Sequence, residues 1–220
     1  MRTLTGHADN IRSVTFSPAG DKIVSGSSDK TIKIWNVADG SLIRTLTGHA
    51  DRVYSVAFNS VGDKIVSGSK DKFIKIWDAT TGALLRTLAG HVDEVFSVAF
   101  NPTGDKIVSG SWVDGKIKIW DVATGSLLHT ITAHAGGVRS GVAFNPAGDK
   151  IVSGGEDGYL KIWNVSDGSL VHKLPTGDGP IYGVAFNPAG DKVAAGGYGK
   201  TIRIWNVADG FLISTLAGHL

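Results

Sequence analysis

Trp35, Trp77, Trp120, Trp163 and Trp205 fall 42, 43, 43 and 42 residues apart, each directly behind Ile-Lys-Ile or a close variant of it. A period of that length held in one register means one supersecondary unit copied five times, so the fold must be one that stacks copies. Gly-Asp-Lys recurs in step, with its aspartates at Asp21, Asp63, Asp105, Asp149 and Asp191. Single-residue insertions near Val113 and at Gly141 account for the two longer spacings. Copies this close are those of a recently duplicated or an engineered array.

Residues 91–133 show how one unit reads. Val95 to Asn101 is rich in β-branched and aromatic residues and ends in the turn signal Pro-Thr-Gly-Asp. Lys106 to Ser111 makes a second strand, closed by Asp114-Gly115. Lys116 to Trp120 alternates Lys and Ile, which predicts one wet and one buried face, and Ser126 to Thr132 is the fourth strand. Nothing has the length or period of a helix. The expected fold is all-β: a β-propeller of four-stranded antiparallel blades, five per chain. One domain is expected over 1–220, with repeats at approximately 6–47, 48–89, 90–132, 133–175 and 176–217. The 30 glycines against 6 prolines suit so many tight turns.

At these residues the chain resembles the WD-repeat family along essentially its whole length. Gly6-His7, Gly48-His49, Gly90-His91 and Ala133-His134 look like the family's Gly-His element. Trp77-Asp78 and Trp120-Asp121 match its Trp-Asp ending, with Asn36, Asn164 and Asn206 as the common variant. The resemblance implies a buried His, Ser, Asp and Trp network in each repeat. The sets are His7, Ser25, Asp29, Trp35; His49, Ser67, Asp71, Trp77; His91, Ser109, Asp114, Trp120; and His134, Ser153, Asp157, Trp163. Four copies at one spacing read as scaffold rather than as a hydrolase triad. The fifth repeat carries Gly177, Ala195 and Gly199 at the His, Ser and Asp positions, so Trp205 is expected to lack a side-chain partner in its own blade.

An enzyme is not expected, and neither a cofactor nor a metal site. A catalytic carboxylate should break the repeat, and only Asp178, Glu94 and Glu156 do so; they read as solvated turn residues. The absence of cysteine excludes disulfides and thiolate metal sites. The seven histidines show no metal spacing, and His129 and His172 are expected on an exposed outer strand. A formal charge of +2, evenly spread, argues against nucleic acid as the partner. No apolar run reaches membrane-spanning length and no signal core opens the chain, so a cytoplasmic location is expected.

Binding should then lie where the copies differ. In WD-type propellers partners commonly dock around the central channel, on the lead-in to each first strand and the turn after each second strand. Those positions collect Arg12, Arg52, Tyr54, Lys70, Phe96, Trp112, Arg139, Tyr182 and Tyr198, the residue types that dominate interface hot spots. The expected function is a non-catalytic protein-interaction scaffold whose partner is a peptide or protein with acidic and apolar groups. A self-assembling or engineered module with no other ligand is the alternative, and a glycan-active or single-strand-binding propeller the third. Five blades are few for this family, and Arg2 to His7 duplicates an outer-strand ending, giving six such copies for five inner sets. Either the chain closes alone as a small ring, or it assembles as a homodimer or is a piece of a longer array, its open edges covered by another copy.

Overall fold

The computed structural model describes residues 3–138, 141–177 and 179–218. Its strands form five separate four-stranded sheets, each an antiparallel meander whose spatial order is its chain order. In the second sheet the strands are Val53–Phe58, Lys64–Ser69, Ile74–Asp78 and Leu84–Leu88. The innermost strands are Ile11–Phe16, Val53–Phe58, Val95–Phe100, Val142–Phe144 and Ile181–Phe186, and each adjoins the next. The molecule is a β-propeller with five blades, and among the described residues it contains no helix. The Gly-Asp-Lys motif makes the turn between first and second strands. In blade 3 the Gly104 N–H donates to the Asn101 carbonyl at 3.0 Å, and Asp105 accepts from Asn101 Nδ2 at 2.6 Å.

A single blade has two apolar faces, and the core lies between blades. The trailing face of blade 1, built by Val24, Ile32, Ile34 and Leu46, packs on the leading face of blade 2, built by Val53, Val56, Ile65 and Trp77. The same positions recur at the blade 2–3, 3–4 and 4–5 boundaries. Close approach is set by glycine in the second strand. A Cβ added to Gly26 would stand 2.8 Å from Val53 Cγ1, and Gly68 and Gly110 meet Val95 and Val138 at the same distance. Serines of the inner strands tie the blades further. Ser13, Ser55 and Ser97 each accept from a backbone N–H of the next blade, those of Val56, Val98 and Val142, at 3.0 to 3.2 Å.

Among the described residues the two end faces have no such partner. Val14 is 64 % and Phe16 60 % exposed on blade 1, and Ile202 is 37 % and Leu216 48 % exposed on blade 5. Their counterparts in the interior blades, such as Val56, Ile74 and Leu88, are buried. The first sheet takes its outer strand from Leu42–Leu46 and the last from Leu212–Ala217, while residues 3–7 lie in no strand. The duplicated outer-strand ending at the start of the chain is thus not used as a strand over its described residues; Arg2 lies outside them.

Two readings of the alternating strands need correction. The lysines of the Ile-Lys-Ile segments do not face water: Lys33, Lys75, Lys118 and Lys161 are buried. Their stems run along apolar surface, and Nζ of the first three donates to a threonine of the outer strand, Thr45, Thr87 and Thr130, at 2.8 to 2.9 Å. Nor do His129 and His172 stand free on the outer strand. Both are half-buried, and His172 Nε2 lies 3.1 Å from the Val207 carbonyl of the next blade. They occupy the position from which Arg44 Nη2 reaches the Thr80 carbonyl at 3.0 Å, a bridge between blades.

Candidate functional site

The buried network runs inward from the outer edge of the Gly-His element. In blade 2 the Trp77 indole donates to Ser67 Oγ at 2.9 Å, Ser67 Oγ lies 2.8 Å from His49 Nε2, and His49 Nδ1 lies 2.7 Å from Asp71 Oδ2. One neutral tautomer satisfies every link: Ser67 donates to Nε2 and Nδ1–H donates to the carboxylate. Blades 1 and 4 repeat the arrangement with Asp29 and Asp157. Burial opposes the charge of Asp29, yet hydrogen bonds from Thr31, the Ala8 N–H and His7 outweigh it and hold the carboxyl well below the usual range. Asp71 and Asp157 are lowered against the same opposition, by His49 and by His134 with Lys161.

Blade 3 breaks the chain. His91 Nε2 and the Trp120 indole both meet Ser109 Oγ, but His91 Nδ1 stands 3.9 Å from Asp114 Oδ2, beyond hydrogen-bond reach. The extra residue beside Val113 lengthens the turn that carries Asp114. Burial pushes His91 down to about 4, only partly opposed by the Asp114 charge. His134 is lowered as well, by burial, against its bond to Asp157. In blade 5 Trp205 is buried in one cluster with Ala195, which has no hydroxyl where the other blades place the serine that accepts the indole N–H. Arg203 fills part of the vacated space: a Cβ on Gly177 would meet both of its Nη atoms at 3.0 Å. The remainder is a crevice of only about 10 Å³ bounded by Ala195, Tyr198 and Gly199.

At the channel mouth the lead-in and turn positions are joined blade by blade. Backbone N–H groups of Ser28, Lys70, Trp112, Glu156 and Tyr198 donate to the carbonyls of Asn10, Arg52, Glu94, Gly137 and Pro180 at 2.9 to 3.2 Å. The inner-strand residues there are the unpaired residues of β-bulges. Ile11 pairs Ser27 and Ser13 pairs Gly26, leaving Arg12 out, and Tyr54, Phe96 and Tyr182 are left out in the same way. A bulge re-aims its extra side chain, which is why these four differ freely while their neighbours repeat.

Three aromatic rings form a ladder across blades 2 and 3. Tyr54 and Phe96 have centroids 5.0 Å apart, and Phe96 and Trp112 meet edge to face at 5.7 Å. Tyr54 OH donates to Glu94 Oε2 at 2.9 Å, Lys70 Nζ pairs with Glu94 Oε1 at 3.3 Å, and the Trp112 indole donates to Glu156 Oε1 at 3.1 Å. Burial, and then the bond to Glu94, push the Tyr54 phenol up to about 12. Glu94 and Glu156 are thus fixing residues of the mouth, not the solvated turn residues their irregular positions suggested. Arg12, in register with Tyr54, is exposed and donates from Nε to Ser28 Oγ at 2.7 Å, and Arg52, in register with Asn10, is exposed as well. Tyr182 and Tyr198 stand on blade 5, half and 70 % exposed. Arg139 and Asp178 lie outside the described residues.

The opposite mouth holds a feature missed by looking only at positions that vary. Phe58, Phe100, Phe144 and Phe186 end the inner strands, and with Pro102, Pro146 and Pro188 they line a cleft of about 470 Å³. Its signal was the in-register Phe itself, indistinguishable in sequence from scaffold. Among the described residues no three His, Asp or Glu side chains converge to hold a metal ion, and no helix is long and apolar enough to cross a membrane.

Comparison with known proteins agrees with this geometry. The family model described as "WD domain, G-beta repeat" matches five times, at residues 1–36, 40–78, 82–121, 125–164 and 168–206. A segment of 39 residues is 59 % identical to "Ribosome biogenesis protein BOP1 homolog" of Drosophila grimshawi and of Drosophila ananassae, and 56 % identical to that of Drosophila melanogaster. Each match takes in 18 % of this chain and 5 % of the relative, about the length of a single repeat. The likeness is therefore one of repeat to repeat, whereas the family match runs through all five blades: the chain belongs to the WD-repeat family.

Proposed function

We propose that this chain is a non-catalytic interaction scaffold that holds a peptide or protein across the bulge-bearing mouth of the channel. The carrying observation is the half-exposed ladder Tyr54–Phe96–Trp112, bonded to Glu94 and Glu156 and flanked by the cations of Arg12, Arg52 and Lys70. Aromatic anchors of this kind contribute large contact area at low entropic cost, and the cations favour acidic groups next to an apolar segment. Against catalysis stands the burial of the four network serines, whose Oγ atoms already accept an indole N–H. A role in ribosome biogenesis is carried by the names of relatives matched over one repeat and gives no partner for this mouth. The reading keeps the chain in the cytoplasm, without cofactor or metal.

Displayed peptides selected on the wild-type protein test the reading. Acidic-aromatic sequences should emerge, and Tyr54→Ala or Trp112→Ala should weaken them at least about tenfold, the range of an interface hot spot. Selected peptides indifferent to both substitutions would move the site elsewhere. Binding that collapses steeply with salt and prefers single-stranded nucleic acid would favour the third reading. Self-association is the second reading, favoured by the apolar end faces of blades 1 and 5.

A further inference from the structure

We infer that the trailing face of blade 5 docks on the leading face of blade 1 of a second copy, head to tail, making between molecules the interface that the chain makes four times within itself. This gives the self-association reading its two faces and uses none of the mouth residues, so it stands or falls apart from peptide binding.

The four internal interfaces define what each half must look like. A leading face presents Val53, Val56, Ile65 and Trp77 in blade 2, and blade 1 presents Ile11, Val14, Ile23 and Trp35 in the same register. A trailing face presents Val66, Ile74, Ile76 and Leu88, and blade 5 presents Ala194, Ile202, Ile204 and Leu216. Ile11, Val14, Ile202 and Leu216 are exposed here, whereas Val53, Val56, Ile74 and Leu88 at the same positions of blade 2 are buried; Ile23, Ala194 and Ile204 are half-buried and Trp35 is covered within its own blade. The fit extends to the glycine notch. An added Cβ on Gly196 meets nothing closer than Ile202 at 3.7 Å, whereas the equivalent Gly26 and Gly68 are pressed by a valine of the next blade. Ile11 of a second copy is the residue in register to fill that notch. At the turns, Gly62 lies against Pro18 and Gly190 against Pro146, while Gly20 has nothing within 4 Å and awaits Pro188.

These halves are complementary to each other and not to themselves: two leading faces would oppose Val14 and Phe16 with no notch between them. The contact is therefore heterologous, closing a ring or extending as an open array according to the rotation between copies. It is also weaker than its internal counterparts. Gly183 stands where Ser13, Ser55 and Ser97 bridge blades, and Ser214 stands where Arg44 and Arg86 reach the next blade. The polar ties are gone and the apolar face remains, which makes for reversible association.

Light scattering and sedimentation of the 220-residue chain test this. The mass should rise with concentration from 23.0 kDa to an integer multiple of it. Val14→Lys and Gly196→Val should each be monomeric throughout, with wild-type circular dichroism and cooperative unfolding to show that they fold. Mixed in equal amounts they should form a dimer, because the first keeps an intact trailing face and the second an intact leading face. A wild-type mass of 23.0 kDa at every concentration, variants that associate like the wild type, or a mixture that stays monomeric would each overturn the proposal.

Discussion

A serine whose side chain is fully buried and whose oxygen already accepts an indole proton contributes to stability, not to chemistry. Ser67 is such a residue, and its loss leaves two buried groups unpaired, the Trp77 N–H and His49 Nε2. Ser67→Ala should therefore cost about 2–4 kcal/mol in urea unfolding. The reverse change in blade 5, Ala195→Ser, offers the Trp205 indole an acceptor and should stabilise by up to about 1 kcal/mol. His91 adds a pH dependence. Its folded pKa of about 4 lies below the ordinary 6.5, so the unfolded chain takes up the proton first. The stability tied to the neutral ring is complete above about pH 6.5 and is lost as the pH falls towards 4. His134 acts in the same direction, and the lowered carboxyls of Asp29, Asp71 and Asp157 add their loss only below about pH 4, near their ordinary value of 3.8. Unfolding midpoints measured from neutral pH downward should fall in the histidine range, and His91→Gln should flatten that slope. The family resemblance, carried over in register, implied each His beside its Ser and Trp. It did not show the gap at Asp114, because one inserted residue changes a distance without changing an order.

At the level of the blade, equal residues in equal register differ in worth according to what covers them. Ile74 is buried at the blade 2–3 boundary and Ile202 is exposed at the end of blade 5. Ile74→Ala should cost about 2–5 kcal/mol and Ile202→Ala under about 1 kcal/mol in the monomer, a contrast that denaturant titration measures directly. Blade 5 also lacks the serine, histidine and aspartate of the network, so its amides should exchange fastest of the five, at the lowest opening free energy. Protection in blade 5 equal to that in blade 2 would mean that Arg203 replaces the network fully. Strand count, strand order and turns were legible because period-2 and turn signals are local. The buried lysines were not, since alternation reports polarity, while a neighbouring threonine decides whether a lysine can be buried. The fixing roles of Glu94 and Glu156 were hidden for the same reason: Tyr54 and Lys70 reach Glu94, and Trp112 reaches Glu156, from the preceding blade.

For the molecule as a whole, two kinds of association compete for notice, and ionic strength separates them. The mouth offers exposed Arg12 and Arg52 and half-buried Lys70, whose attraction for acidic groups is screened within about 8 Å at physiological salt. The end faces offer Val14 and Phe16 against Ile202 and Leu216, with no charged residue among them. Burial of such surface does not weaken with salt, and it weakens on cooling because its driving force near room temperature is entropic. Raising sodium chloride from low to half-molar should therefore loosen peptide binding while leaving the self-association constant level or slightly higher. Cooling should shift the assembly towards monomer and leave the charged contact nearly unchanged. Sedimentation equilibrium across salt and temperature, run beside a peptide titration under the same conditions, reads both. An assembly that dissolves in salt would be held by charges outside these faces, and the repeat logic that pairs blade 5 with blade 1 would then not govern how copies meet.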